Sequence, residues 1–240
     1  MTSVKDTKGH LPYRAFPAPI RPAGSPMAGS DVLTLTDFSP EEIRRVLARA
    51  SAIKSAGQGA ARPLSGKSII MLFEKPSLRT RITFEVGIAR LGGNAIYFDH
   101  GSQRLGERES VHDYAKNLER WVDGIVARVF SQQVLNEMAA ATRVPVINAL
   151  SDLYHPCQAL ADYLTLQEKF GDLRGVRLAY VGDGNNVCHS LMHAASLLGS
   201  HLVVVVPPGY EPLPEEIELS RAIAAQTGGS VTMRGCLVWP

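Results

Sequence analysis

The chain has 240 residues, 45% of them hydrophobic and 20% charged, which is ordinary for a globular protein and enough for one or two domains with a buried core. Its formal net charge is +2 and no run of five or six like charges occurs, so nothing points to nucleic acid, and charge on a substrate has to be met by a few placed cations. The three cysteines, Cys157, Cys188 and Cys236, are widely spaced and form no CxxC pair, which argues against a disulfide framework and a zinc site and suits a reducing, cytoplasmic setting. No segment approaches the ~20 apolar residues of a membrane span, and the start lacks the apolar stretch of a secretory signal.

Residues 1–30, rich in Pro, Gly, Ala and Ser, read as a disordered tail. The first helix signal follows in Ser39-Pro40-Glu41-Glu42: Ser39 suits the N-cap, Pro40 the first helical position, and Glu42 closes a capping box. Short apolar runs then alternate with amphipathic segments. Strands are expected at Ser68–Phe73, Ala95–Asp99, Gly124–Val129, Val144–Asn148, Arg177–Val181 and Leu202–Val206, with a strand-like Ser230–Met233 near the end. Helices are expected at about 79–91, 109–120, 132–141, 156–169, 187–198 and 214–226. Several strands are continuous apolar runs, the pattern of a sheet covered on both faces. This order predicts an α/β protein of two doubly wound parallel-sheet domains, the second incomplete. Lys169–Gly175 is the expected junction, dividing a first domain over 31–168 from a second over 169–240.

Four features carry chemistry. Phe73-Glu74-Lys75-Pro76-Ser77-Leu78-Arg79-Thr80-Arg81 runs from a strand end into a helix, where unpaired backbone N–H groups favour anions. Ser77 and Thr80 add hydroxyls, and Arg79 and Arg81 add planar donors suited to phosphate; the competing reading is a capped helix with solvated arginines. Arg128 ends an otherwise apolar strand and needs an anion, either a ligand or an acidic side chain. His155-Pro156-Cys157-Gln158 opens a helix with His155 and Gln158 on one face, able to hold a carbonyl and an adjacent amine; taken alone, the tetrapeptide is better explained as a cap on a core helix, with Cys157 and Ala161 inward. Gly182-Asp183-Gly184-Asn185-Asn186-Val187 resembles a dinucleotide fingerprint poorly: the third glycine is Val187, and no acid follows the next strand. A nicotinamide-dependent oxidoreductase is therefore disfavoured, and Asn186 is free to present a carboxamide to a ligand. Gly66-Lys67-Ser68 lacks the upstream glycine of a Walker loop, and His189, Met192 and His193 read as a helix–sheet interface rather than a metal site.

In this order the Ser-x-Arg-Thr-Arg loop, the strand arginine and the His-Pro-x-Gln tetrapeptide resemble the aspartate/ornithine carbamoyltransferase family, over about Val32 to Thr232. His-Pro-Cys-Gln and Asp183–Val187 tilt the resemblance to the ornithine branch. It implies that Ser77, Leu78, Arg79 and Thr80 hold the phosphate of carbamoyl phosphate, and that Arg128, His155 and Gln158 hold its carbamoyl group. Asn186 would hold L-ornithine. Thr80, Arg128 and His155 would be the catalytic donors, with no metal or cofactor. The implied reaction is carbamoyl transfer to the ornithine side-chain amine, giving L-citrulline and phosphate, in a cytoplasmic homotrimer serving arginine biosynthesis. In Ser102–Ser110 the family's ornithine members often place Gln just before Leu-Gly; Arg104 stands there, beside Gln103, and becomes a candidate phosphate ligand. The family's Asp…Ser-Met-Gly loop and His-Cys-Leu-Pro motif are absent, so residues from about 234 read as a foreign or prematurely ended terminus. The alternative function is accordingly an inactive, truncated chain that keeps the anion site.

Overall fold

The computed structural model describes residues 29–57, 61–101 and 103–235. The expected tail over 1–30, except at its end, and the closing residues 236–240 lie outside them. Helix α1 spans Pro40–Ala56. Its capping box is formed: the Ser39 hydroxyl accepts from the Glu42 amide at 3.3 Å and the Glu42 carboxylate accepts from the Ser39 amide at 2.8 Å, which satisfies donors that a helix start leaves unpaired.

The first sheet holds β1 (Ser68–Phe73), β2 (Asn94–Asp99), β3 (Gly124–Arg128) and β4 (Val146–Leu150), in the order β2-β1-β3-β4. All its pairings are parallel. Helix α2 (Leu78–Arg90) lies on one face, where Phe84 and Ile88 meet Met71, Phe73 and Val126. Helices α3 (Val111–Leu118) and α4 (Gln132–Ala141) lie on the other, against Ile70, Leu72 and Ile125. The fully buried runs in β1 and β3 follow from this double cover.

Helix α5 (Pro156–Phe170) leads to a second parallel sheet, β5 (Arg177–Val181), β6 (His201–Val206) and β7 (Ser230–Gly235), with α6 (Asn186–Leu198) and α7 (Pro214–Thr227) between its strands. Here the continuous-run expectation fails. Burial alternates along β6: Leu202, Val204 and Val206 pack with α6, while Val203 and Val205 share a less covered face with Val181, which is 70% exposed. An apolar run thus does not by itself show that both faces are covered. Helix α6 is buried over nearly its whole length, because it sits between this sheet, α5, α7 and α1.

The segment before α1 joins the two halves. Val32 bonds to β4 as an extra strand position, its amide to the Val146 carbonyl and its carbonyl to the Asn148 amide, both at 2.8 Å. A few residues on, Leu35, Phe38, Ile43 and Leu47 enter one core cluster with Tyr163 of α5 and Met192, Leu198 and Val204 of the second unit.

Candidate active site

The chain order of the first sheet reverses between β1 and β3: β2 follows β1 on one side and β3 returns on the other. In open α/β sheets such a switch leaves a crevice beyond the carboxyl ends of the two strands. Phe73 and Arg128 are paired there, so the loop 74–81 and the residues after Arg128 face the same crevice.

Ser77 caps α2, accepting from the Thr80 amide at 3.4 Å, and its hydroxyl donates to Thr80 Oγ1 at 3.0 Å. Leu78 is 74% exposed; having no polar side-chain atom, it can offer a ligand only its backbone N–H, one of those a helix start leaves free. Arg79 is exposed beside it. Arg81 is turned away, bonded to Glu85 at 3.1 Å with its guanidinium 3.8 Å from the Tyr97 ring centroid. The capped-helix reading therefore holds for Ser77 and Arg81 without removing Arg79 or the amides as donors.

Arg128 is half-buried, and its Nε is buried with no hydrogen-bond partner. Among the described residues no carboxylate forms an ion pair with it, so the acidic-partner explanation fails. Burial lowers its pKa. The backbone aims this side chain through an irregularity in the β3–β4 pairing: Ala127 pairs with Asn148 but Arg128 with Leu150, leaving one extra residue on β4.

His155 is the N-cap of α5 but spends no side-chain bond on capping, and its Nδ1 is buried without a partner. Burial, then the charge of Arg128, lowers its pKa to about 4, so it is a neutral imidazole around pH 7. Unpaired buried polar atoms are uncommon in native folds and call for a partner; here two belong to neighbouring residues on one crevice. Gln158, one turn on, is exposed and donates to Asp162 at 2.9 Å. The inward positions of α5 are Pro156, Ala159 and Tyr163, whereas Ala161 is exposed, so the core-helix reading had the wrong alanine.

Asn186, the first residue of α6, donates its amide to the Ser151 carbonyl at 2.6 Å. That bond ties it to the loop carrying His155. The neighbouring loop needs Gly184: its amide donates to the Tyr210 carbonyl at 2.7 Å, and a Cβ there would run into the backbone of Glu211 and Pro212.

Arg104 stacks its guanidinium 4.4 Å from the Phe130 ring centroid, with the Lys75 ammonium 4.3 Å from the same ring. From the sequence Arg104 is a candidate ligand, whereas Glu74 and Lys75 stand only as members of the loop, without a role, and Phe130 is not singled out. The Glu74 carboxylate is 5% exposed and accepts the amides of Leu105 and Phe130, both at 2.7 Å, bracing three loops of the crevice. The only signal for it was an acid directly after a buried apolar run. A separate cavity of about 180 Å³, lined by Phe98, His100, Arg104, Arg108 and Tyr114 among others, touches none of Ser77, Arg79, Arg128 or His155. It lies beside the site rather than in it.

Residues 30–168 match the family model described as the carbamoyl-P binding domain of aspartate/ornithine carbamoyltransferase, and residues 174–236 match that of its Asp/Orn binding domain. An ornithine carbamoyltransferase of a Vibrio species is 46% identical over 203 residues, covering 85% of this chain and 67% of that relative. The one from Thermococcus kodakarensis is 49% identical, with 85% and 65% covered. Among solved structures, ornithine carbamoyltransferase from Pyrococcus furiosus superposes with a TM-score of 0.85 at 46% identity, over 87% of this chain and 67% of that one. That from Gloeobacter violaceus gives 0.77 at 40% identity. The chain thus spans about two thirds of the length of these relatives.

Proposed function

The chain belongs to the aspartate/ornithine carbamoyltransferase family, and we propose from that footing that it transfers the carbamoyl group of carbamoyl phosphate to the side-chain amine of L-ornithine, giving L-citrulline and phosphate. The observation that carries this reading is the pair of buried, unpartnered polar atoms, Arg128 Nε and His155 Nδ1, beside a helix N-terminus flanked by Arg79, Lys75 and Arg104.

The phosphate is taken by the amides of the first turn of α2, the Ser77 and Thr80 hydroxyls and Arg79, with Arg104 adding charge from the next loop. Arg128 and His155 donate to the carbonyl oxygen. Neutral imidazole suffices for this, since one ring nitrogen still carries a proton. Gln158 orients the carbamoyl NH2, and Asn186 meets the ornithine. The ornithine amine, protonated below an ordinary pKa of about 10.4 for a lysine-like group, gives one proton to solvent and attacks in its neutral form. The new C–N bond forms as the C–O bond to phosphate breaks, and the amine proton leaves with the phosphate. Each donor to the developing oxyanion is worth roughly 2.7–4 kcal/mol, and holding both reactants in place supplies much of the rest.

The same proposal includes a cytoplasmic role in arginine biosynthesis and assembly as a homotrimer. Supporting the assembly, Leu78, Ile82 and Val86 recur at four-residue spacing along α2 and are all exposed, an apolar stripe suited to a neighbouring chain. The test is calorimetry with carbamoyl phosphate on the wild type and on Arg79→Ala. Binding lost in the variant supports the loop assignment, and binding intact overturns it. Citrulline formation by the purified 240-residue chain separates transfer from an anion site without turnover.

A further inference from the structure

The loop between β4 and α5 carries His155 and is gripped from the second unit at several points. The His155 amide donates to Ser190 Oγ at 2.8 Å, Asn186 bonds the Ser151 carbonyl, and His189 Nδ1 bonds the Leu153 carbonyl at 3.0 Å. One contact stands apart because it buries an acid. Tyr154, next to His155, donates its hydroxyl to Glu216 Oε1 of α7 at 2.5 Å. The other oxygen, Oε2, lies 2.7 Å from His193 Nε2 of α6, and His193 Nδ1 lies 3.2 Å from Thr34 Oγ1. Glu216 is 2% exposed and His193 is fully buried.

From this geometry we infer that Glu216 is a positioning residue: through the Tyr154 hydroxyl, and braced by His193, it fixes the loop that aims His155 into the crevice. A buried carboxylate is costly unless its oxygens are bonded, and here both are. Burial pushes the Glu216 pKa up, but the bond and charge of His193 and the Tyr154 hydroxyl outweigh it, so the group lies below its ordinary value. The chain of bonds runs through four separate segments, namely α7, α6, the His155 loop and the turn before α1. Tyr154 adds ring contacts, 5.4 Å from His193 and 6.4 Å from His189 between centroids. A residue serving only to fill space would need no such set of partners, since an apolar side chain of similar volume would stabilise as well.

The inference rests on His155 belonging to the carbamoyl site, but its test needs no ligand, so a failure to bind carbamoyl phosphate leaves it separately decidable. His155 is held near pKa 4 by burial and by Arg128, so a loosened loop raises its midpoint. A merely less stable protein keeps the midpoint of its native state. The experiment is NMR titration of the histidine-labelled full chain, with the His155 signal assigned by His155→Asn. In Tyr154→Phe, which keeps the ring, and in Glu216→Leu, the midpoint is expected to rise by about one pH unit or more. Glu216→Gln is expected to hold it at the wild-type value. Gln can still accept from Tyr154 and can donate to His193 once the imidazole proton moves to Nδ1 and bonds Thr34. An unmoved midpoint in Tyr154→Phe overturns the inference, as does a rise in Glu216→Gln equal to that in Glu216→Leu.

Discussion

Burial and the charge of Arg128 lower the pKa of His155 from 6.5 to about 4. Between those values the unfolded chain binds a proton that the folded chain refuses, so this residue favours folding fully above about pH 6.5 and loses that contribution as pH falls to 4. His189, lowered mainly by burial, acts in the same sense. Urea unfolding from pH 7.5 downward should therefore show stability falling through this window, and His155→Asn should flatten the slope. A pH-independent stability over that range would contradict the burial of this imidazole. The unpaired Nδ1 that makes His155 a candidate donor also exposes the fold to acid.

Elements follow the local chemistry at their ends. Ser39→Ala removes one half of the capping box of α1 and should cost about 0.5–2 kcal/mol, read as a lower urea midpoint with circular dichroism. Most elements were legible in the sequence for the same reason: Ser77, Ser110, Ser131 and Asn185 each accept a first-turn amide and set a helix start. Where the sequence misled, a longer-range cause can be named. The strand expected over Val144–Asn148 is β4, Val146–Leu150, because Pro145 has no N–H to pair and the strand begins after it. The helix expected from 109 begins at Val111, since Ser110 is its cap. In the site, Ser77, Arg128 and His155 were readable as residue types in order. What aims them was not: the irregular pairing at Ala127 and Arg128 and the two amides taken by Glu74 depend on partners 20 or more residues distant. Glu216 resembled an ordinary first-turn acid of α7 until Tyr154 and His193 were brought to it.

At the scale of the whole molecule, the segment before α1 ties the two sheets together. Leu35 is fully buried in a cluster that includes Leu47, Tyr163, Met192 and Val204, while Val32, three residues earlier, is bonded to β4 of the other sheet. Neither unit can release this segment without exposing apolar surface of both. A single cooperative transition is expected in calorimetry, and Leu35→Ala should lower it as a whole, by about 2–5 kcal/mol. Two resolved transitions, with only one shifted by the substitution, would show the units to be independent. No helix among the described residues is long and apolar enough to cross a membrane.

The cluster around Leu35 also has a consequence in time. Leu47 leaves the ribosome long before Leu198, its partner in the same cluster; at 5–20 residues per second the interval is roughly 8–30 s. Through that interval the apolar side of α1 can meet α5 but lacks its α6 partners, although the first sheet, complete at Leu150, can already form. Helix α1 is thus among the last of the described elements to settle, and in a nascent chain it is open to a chaperone.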